Sequence, residues 1–279
     1  MTNFSILINS CDAYRDAWNP FFRILEKTWP QAKNRTIYLN TESLDYKDSF
    51  FDVKVINSGK NTPWGQRLLK VVEKIDSDYV LMLLEDFFFE KEIEEDSIEK
   101  CVNYLDNNER IACFSFTTAN ESTDLGYCNK HIDERYPSFV KRKQFGDYKY
   151  NASPSLWRKS ALQKWTFRND TPWHWEFFGN KRTWFSKDEF YSLRVDANPV
   201  FVYDVEHGGA IHRGKWVGYK MRELQEKYNI KIDLSQREVE EDWMIQSQTP
   251  VKPFYMRLNS VFRNRIKYVE SVIIAFFYR

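Results

Sequence analysis

Two adjacent carboxylates, Glu85 and Asp86, interrupt the apolar stretch LLEDFFF that runs from Leu83 to Phe89. Burying one ionised carboxylate without a partner is expensive, and burying two side by side costs more. The residues before them, YVLMLL (Tyr79 to Leu84), are continuously apolar and fit a parallel strand covered on both faces. One chemistry for such a strand end is the Mg²⁺-holding strand of a P-loop NTPase. That reading fails, because no GxxxxGK[ST] phosphate cradle occurs anywhere in the chain. A second is glycoside hydrolysis, which needs a partner acid across a cleft; Glu176 is available, although no spacing marks it. A third is a divalent-cation site in which hard carboxylate oxygens share the ion with a nucleotide diphosphate. A strand end paired with a nearby Lys or Arg is the fourth, and the last three stay open.

The elements that would position these acids alternate. FSILIN (Phe4 to Asn9), RTIYLN (Arg35 to Asn40), FDVKVIN (Phe51 to Asn57) and the run from Tyr79 read as strands. A helix follows the first strand to about Trp29 and is closed by Pro30. A second begins after the cap pair Thr62-Pro63, with Trp64, Leu68, Val71, Val72 and Ile75 on one face. The order β-α-β-β-α-β predicts an α/β layered fold, in which ligands bind beyond the carboxyl ends of the strands. Glu85 and Asp86 lie at that end.

Further on, an acidic helix is expected from Glu92 to Leu105 and a strand at RIACFSF (Arg110 to Phe116). Residues 117 to 150 are polar and aperiodic, a length that suits a lid or mobile loop, or hides a short hairpin. NASPSLWRKSALQKW (Asn151 to Trp165) reads as a turn and a short helix. NDTPWHWEFFGNKR (Asn169 to Arg182) crowds rings around His174 and Glu176. PVFVYDVEHGGAIHRGKW (Pro199 to Trp216) reads as a strand running through Gly208-Gly209 into a His/Arg/Lys cluster, before a polar helix at Tyr219 to Ile230.

Composition narrows the function classes. Forty-one Lys and Arg nearly cancel 40 Asp and Glu, leaving a formal charge of +1, so no global field points to nucleic acid. Aromatics make up 17% of the chain, a supply of flat, polar-edged rings that suits sugars and nucleobases and also fills cores. Four cysteines without CxxC spacing read as reduced thiols of a cytoplasmic protein. The start MTNFSILINSCD lacks a basic n-region, so no secretory signal is expected. No run reaches the length of a membrane span.

NTPWGQRLLKVVEKIDSDYVLMLLEDFFF resembles the segment of GT-A-type glycosyltransferases that joins a helix to the strand bearing their DxD motif. The similarity is greatest to bacterial enzymes that build capsule and lipopolysaccharide glycans. It covers Phe4 to Phe89 in layout and continues more loosely through NASPSLWRKSAL, PWHWEFFGNKR and GGAIHRGKW. The acid cluster departs from strict DxD, since Phe87 follows Asp86.

The resemblance implies a Rossmann-type mixed sheet flanked by helices and a nucleotide-sugar donor held with Mn²⁺ or Mg²⁺. Asp86 would be the metal ligand and Glu85 its helper or a ribose contact. Asn9, Ser10 and Asp12 would meet the nucleoside. Trp64, Gly65 and Arg67 would face the diphosphate at a helix start with free N–H groups. Glu176 would be the base that takes the acceptor hydroxyl proton, with Asp188 and Glu189 behind it. A pairing of Glu176 with Lys181 or Arg182 is the plain alternative. His212 would complete the metal shell, Arg213 and Lys215 would neutralise the leaving diphosphate, and Gly208, Gly209 and Gly214 would let their segment move.

Residues 1–254 would then form one catalytic domain, with a donor half to residue 116 and a Trp-rich acceptor half beyond it. The acceptor would be a glycan or lipid-linked glycan of the cell surface. Residues 255–279 form an amphipathic helix with Leu258, Phe262, Ile266, Val269, Ile273 and Phe276 on one side and Arg257, Arg263, Arg265, Lys267 and Arg279 against the single Glu270. It would lie on the inner face of a membrane or dock on its own domain. The contrasting class is a catalytically inert sugar- or nucleotide-binding protein, which has no need of clustered acids at a strand end.

Overall fold

Apolar runs at the expected places form the sheet. The structure, a computed structural model, describes residues 3–118, 130–241 and 254–277, the last segment with side chains from 264. Strands β1 (Phe4–Asn9), β2 (Ile37–Thr41), β3 (Val53–Asn57), β4 (Tyr79–Leu83) and β5 (Ile111–Ser115) fall within a residue or two of the runs read from sequence. Helices α1 (Arg15–Thr28), α2 (Trp64–Lys74) and α3 (Glu95–Asn107) connect them. The chain then adds β6 (Phe139–Lys141), β7 (Ser155–Arg158), α4 (Lys159–Trp165), β8 (Glu189–Leu193), β9 (Ile211–His212), β10 (Lys215–Val217), α5 (Gly218–Tyr228), β11 (Val239–Glu240) and α6 (Phe254–Phe277).

One eight-stranded sheet runs in the order β3-β2-β1-β4-β7-β5-β8-β6, and a small one in the order β11-β10-β9. β1 pairs in parallel with β2 on one side and β4 on the other. β7 is antiparallel to both β4 and β5, and β6 to β8, so the sheet is mixed. This is the α/β Rossmann-type mixed sheet expected from the sequence. Alternation along β1 sends Ile6 and Ile8 to the face packed by α1 and α3, and Leu7 to the face packed by α2 and α4.

Several expectations are corrected. Pro63, not Thr62, is the N-cap of α2, and no side chain caps it. The strand expected from Pro199 is absent: residues 199–210 run irregularly, because Glu90 supplies only an isolated backbone bond to Val202 (2.7 Å) where a ladder would be needed. SLWR, read as a turn, is the buried strand β7. Part of the expected lid is β6, whereas 119–129, with Cys128, lies outside the described residues. Cys11, Cys101 and Cys113 are free thiols. Among the described residues, no helix is long and apolar enough to cross a membrane.

A buried clamp fixes the turn that meets α2. The Arg182 guanidinium donates to both Asp170 oxygens (2.7 and 2.6 Å) and lies over the Phe167 ring at 3.9 Å. Removing one partner of such a pair strands a buried charge. Asp170→Ala is therefore expected to lower unfolding free energy in urea by about 3–5 kcal/mol; a loss within experimental scatter would show that the clamp does not hold this turn.

Candidate active site

The chain goes from β1 outward to β2 and β3, then returns to place β4 on the other side of β1. The carboxyl ends of β1 and β4 thus flank a topological switch point, where a crevice opens and α/β sheets bind ligands. Asn9 and Ser10 end β1, and Glu85 and Asp86 follow β4.

Glu85 is 5% exposed, and its pKa is raised well above the usual carboxylate range by burial and then by the charge of Asp86. The Ser10 hydroxyl, which accepts a bond from Trp18 Nε1 (2.7 Å), and the Arg237 charge oppose that rise. Burial raises Asp86 as well, again opposed by Arg237. Asp86 Oδ1 is buried and has no hydrogen-bond partner among the described residues.

The other side of Asp86 is built from backbone. Its carbonyl accepts the Ala210 N–H (2.7 Å), and Gly209 adopts φ +134°. A Cβ on Gly209 would lie 2.8 Å from the Asp86 carbonyl oxygen and 3.1 Å from Oδ2. Glycine is needed here both for the dihedral and for the approach. The sequence suggested that this glycine gives mobility; the structure shows it seated against the acid.

The β9–β10 hairpin turns on Arg213 (φ +49°) and Gly214 (φ +83°), the positive pair of a type I′ turn. Arg237 ties this turn down. It donates to the Gly214 carbonyl (3.0 Å) and the Ala13 carbonyl (2.7 Å), and grips Asp16 with two bonds (3.0 and 2.8 Å). Arg213 is exposed at the tip, and Lys215 pairs with Glu238 at 2.9 Å. His212 turns Nδ1 to the His207 carbonyl (3.1 Å), while His207 Nδ1 meets Asp204 (2.7 Å). The carbonyl fixes Nδ1 of His212 as the protonated nitrogen.

Beside β1, Asn40 donates to Asn9 Oδ1 (2.7 Å), and Asn9 Nδ2 is buried with no partner among the described residues. Arg67 is buried, reaches the Ser10 carbonyl at 3.3 Å and Glu42 at 3.6 Å, and leaves Nε without a partner among the described residues. Asp12 is otherwise engaged. Its carboxylate accepts the N–H groups of Glu42, Ser43 and Leu44 (3.0, 3.1 and 3.2 Å) and the Ser43 hydroxyl (2.6 Å). Burial opposes these bonds, yet they hold its pKa below the usual range.

The free N–H groups expected at the start of α2 are not free. Gly65 donates to the Asp170 carbonyl (2.9 Å) and Gln66 to Arg168 (3.0 Å). A Cβ on Gly65 would sit 2.0 Å from the Phe167 carbonyl, so this glycine serves close packing of helix on turn. Trp64 meets Trp175, ring centroids 5.5 Å apart.

Trp175 opens a π-helical turn, Trp175–Gly179, that presents Glu176. Its carboxylate accepts the Ala152 N–H (2.7 Å), and burial raises its pKa against that bond. The alternative pairing with Lys181 or Arg182 is not formed: Lys181 pairs with Asp147 (2.5 Å) and Arg182 with Asp170. Tyr203, whose ring lies tilted against Phe87 with centroids 4.5 Å apart, feels both Asp86 and Glu176. Burial first, and then these two charges, push its hydroxyl up to about 12.

Asp188 and Glu189 are not brought to this site. Glu189 starts β8 and Asp188 precedes it; β8 is parallel to β5, so both lie at the opposite end of the strands, roughly 15 Å away along five-residue strands. Asp188 accepts Lys164 and Trp165 (both 2.8 Å), and Glu189 pairs with Lys141 (2.7 Å). A cavity of about 700 Å³ beside the start of β2 lies away from the switch point; in its wall Arg35 pairs with Glu95 (2.6 Å) and Glu99 (2.5 Å).

A divalent cation fits the donor set in part. Among the described residues, no three His, Cys, Asp or Glu side chains converge, so Asp86 and His212 do not complete a shell of protein ligands. One or two carboxylates with an unpartnered oxygen suit Mg²⁺ or Mn²⁺ whose other ligands are phosphate oxygens and water.

No protein-family model matches the sequence, and no curated protein does. The solved structures give matches. The mannosyltransferase PcManGT of Pyrobaculum calidifontis, in complex with GDP-Man and Mn²⁺, aligns with 99% of this chain and 73% of its own, at 9% identity and a TM-score of 0.47. TarS of S. aureus aligns with 70% of this chain and 36% of its own, at 8% identity and a TM-score of 0.43. The bifunctional IspDF of Campylobacter jejuni aligns with 60% and 44%, at 12% identity and a TM-score of 0.34. The chain thus spans less than half the length of the latter two. At such identities and scores these are likenesses in the course of the chain alone.

The acid pair sets a pH dependence. Both folded pKa values are raised, so the pair's contribution to stability is complete below the ordinary carboxylate range and is lost as pH climbs through the folded values. Without ligand, Glu85→Gln is expected to be more stable than the parent by about 1–2 kcal/mol near pH 8 and little different near pH 4. Melting curves across that range check this, and parallel profiles for the two proteins would contradict it.

Proposed function

We propose that the chain is a GT-A-like glycosyltransferase that moves a sugar from a nucleotide-sugar to a cell-surface glycan of the capsule, O-antigen or lipopolysaccharide type. The observation that supports this most is the Glu85-Asp86 pair at the switch point, with Asp86 Oδ1 buried and unpartnered among the described residues. A binding module has no use for two raised carboxylates there, whereas a site for a cation-bound diphosphate does.

In this reading Asp86, helped by Glu85, would hold Mn²⁺ or Mg²⁺, which would neutralise charge on the diphosphate. Asn9 and Ser10 border the nucleoside, and Arg67 lies beneath the same edge. Asp12 shapes the loop after β2. Arg213, at the hairpin tip, and Lys215 supply positive charge for the leaving group, and Arg237 holds their turn in place. Residues 1–116 form the donor half, and the Trp-rich part to 254 receives the acceptor. A lipid-linked acceptor would place the enzyme at the cytoplasmic face of a membrane.

Glu176 is the base of this scheme. Its carboxylate is free of Lys181 and Arg182, and its raised pKa makes it a better proton acceptor. It takes the proton of the acceptor hydroxyl as that oxygen bonds to the anomeric carbon. The bond from that carbon to the phosphate oxygen breaks, and its electron pair leaves with the diphosphate.

Calorimetric titration with UDP and GDP, with and without Mn²⁺, tests the donor side. Asp86→Asn is expected to weaken the metal-dependent component at least about tenfold. Nucleotide affinity that ignores both Mn²⁺ and the substitution would sink the metal role. For the base, Glu176→Gln is expected to lower kcat about 10²–10⁴-fold with donor affinity unchanged, and full activity would remove Glu176 from it.

A further inference from the structure

We infer that the outward face of α6 is a lipid-contact surface, fitted to a bilayer with anionic headgroups. This helix docks on the domain by one side: Ser271 and Ala275 are buried, Tyr268 meets Trp184 edge-on at 6.1 Å, and Phe276, expected on the same side as Ile266, Val269 and Ile273, packs on Phe185 at 4.5 Å. At about 100° per residue, Ile266, Val269, Ile273 and Phe277 form a stripe on the opposite side. They are 51%, 54%, 52% and 83% exposed. A helix docked only for its own stability would turn its large apolar side chains inward and its small ones out. Here Tyr268 and Phe276 turn inward, but Ile266, Val269, Ile273 and Phe277 face away.

The charge around the stripe indicates what covers it. Arg265 and Glu270 border the groove formed by Ile266, Val269, Ile273 and Ile274, and Glu270 is paired with Lys267 (3.1 Å), which leaves the Arg265 charge in excess at the groove. Within the helix and its two following residues, Arg257, Arg263, Arg265, Lys267 and Arg279 outnumber Glu270. An apolar stripe on a segment whose sequence carries surplus positive charge matches the boundary between acyl chains and anionic phosphates. The helix is not apolar enough to cross a membrane, so it would lie in the surface plane. A second copy is a poorer occupant, because four partly exposed side chains offer well under the ~800 Å² per partner of a stable dimer. The surface is independent of which sugar is transferred.

Co-sedimentation of the full chain with phosphatidylcholine vesicles, with and without phosphatidylserine, tests this. Binding is expected to require phosphatidylserine and to weaken as salt screens the charges. Ile273→Asp, at a half-exposed position, and Arg265→Glu are each expected to reduce vesicle affinity about tenfold or more. Both are expected to retain the parent's circular dichroism and melting temperature. No binding to the anionic vesicles, or equal binding by Ile273→Asp, would overturn the inference. So would a dimer of the parent in light scattering that Ile273→Asp disperses, since the stripe would then belong to a second copy. Nucleotide binding by Ile273→Asp, expected at the parent's level, separates this result from the fate of the acid pair.

Discussion

Two neighbouring carboxylates at the end of a buried strand repel each other and resist desolvation, and much of the local structure answers that constraint. Arg237 sits close enough to lower both pKa values, yet its own hydrogen bonds go to Asp16, Ala13 and Gly214. It tempers the charge without pairing it away. Gly209 presses backbone against Asp86, and one carboxylate oxygen is left with no partner among the described residues. A chain selected for stability alone would have replaced the pair by apolar residues at this position.

That constraint links parts of the chain that are distant in sequence. β4 delivers the acids, the irregular segment before β9 delivers Gly209 and Ala210, and Arg237, two residues before β11, delivers the tempering charge. Trp64 and Trp175 join the start of α2 to the turn that carries Glu176. Tyr203 feels both Asp86 and Glu176, which puts the two acids around one buried hydroxyl.

The first ninety residues were legible because their strands are apolar, regularly spaced and joined by helices of marked periodicity. β7 was not, because SLWR is short and ends in an arginine. In the fold, Arg158 sends its guanidinium to the Leu105 and Asn108 carbonyls, a solution no local pattern announces. Asp188 and Glu189 were candidates by type, but the direction of β8 puts them at the wrong end of the strands, and direction is a property of the whole sheet. Gly65 resembled a diphosphate-facing glycine and instead relieves a backbone clash with Phe167. Arg237 lies some 150 residues from the acids it tempers, and its only local signal is one basic residue in the acidic run REVEED.

The most direct measurement is anomalous scattering from crystals soaked with Mn²⁺ and a nucleoside diphosphate. The account predicts an anomalous peak within about 2.5 Å of an Asp86 carboxylate oxygen, with phosphate oxygens on its far side. A diphosphate bound elsewhere, or bound at the switch point with no peak beside Asp86, would contradict it.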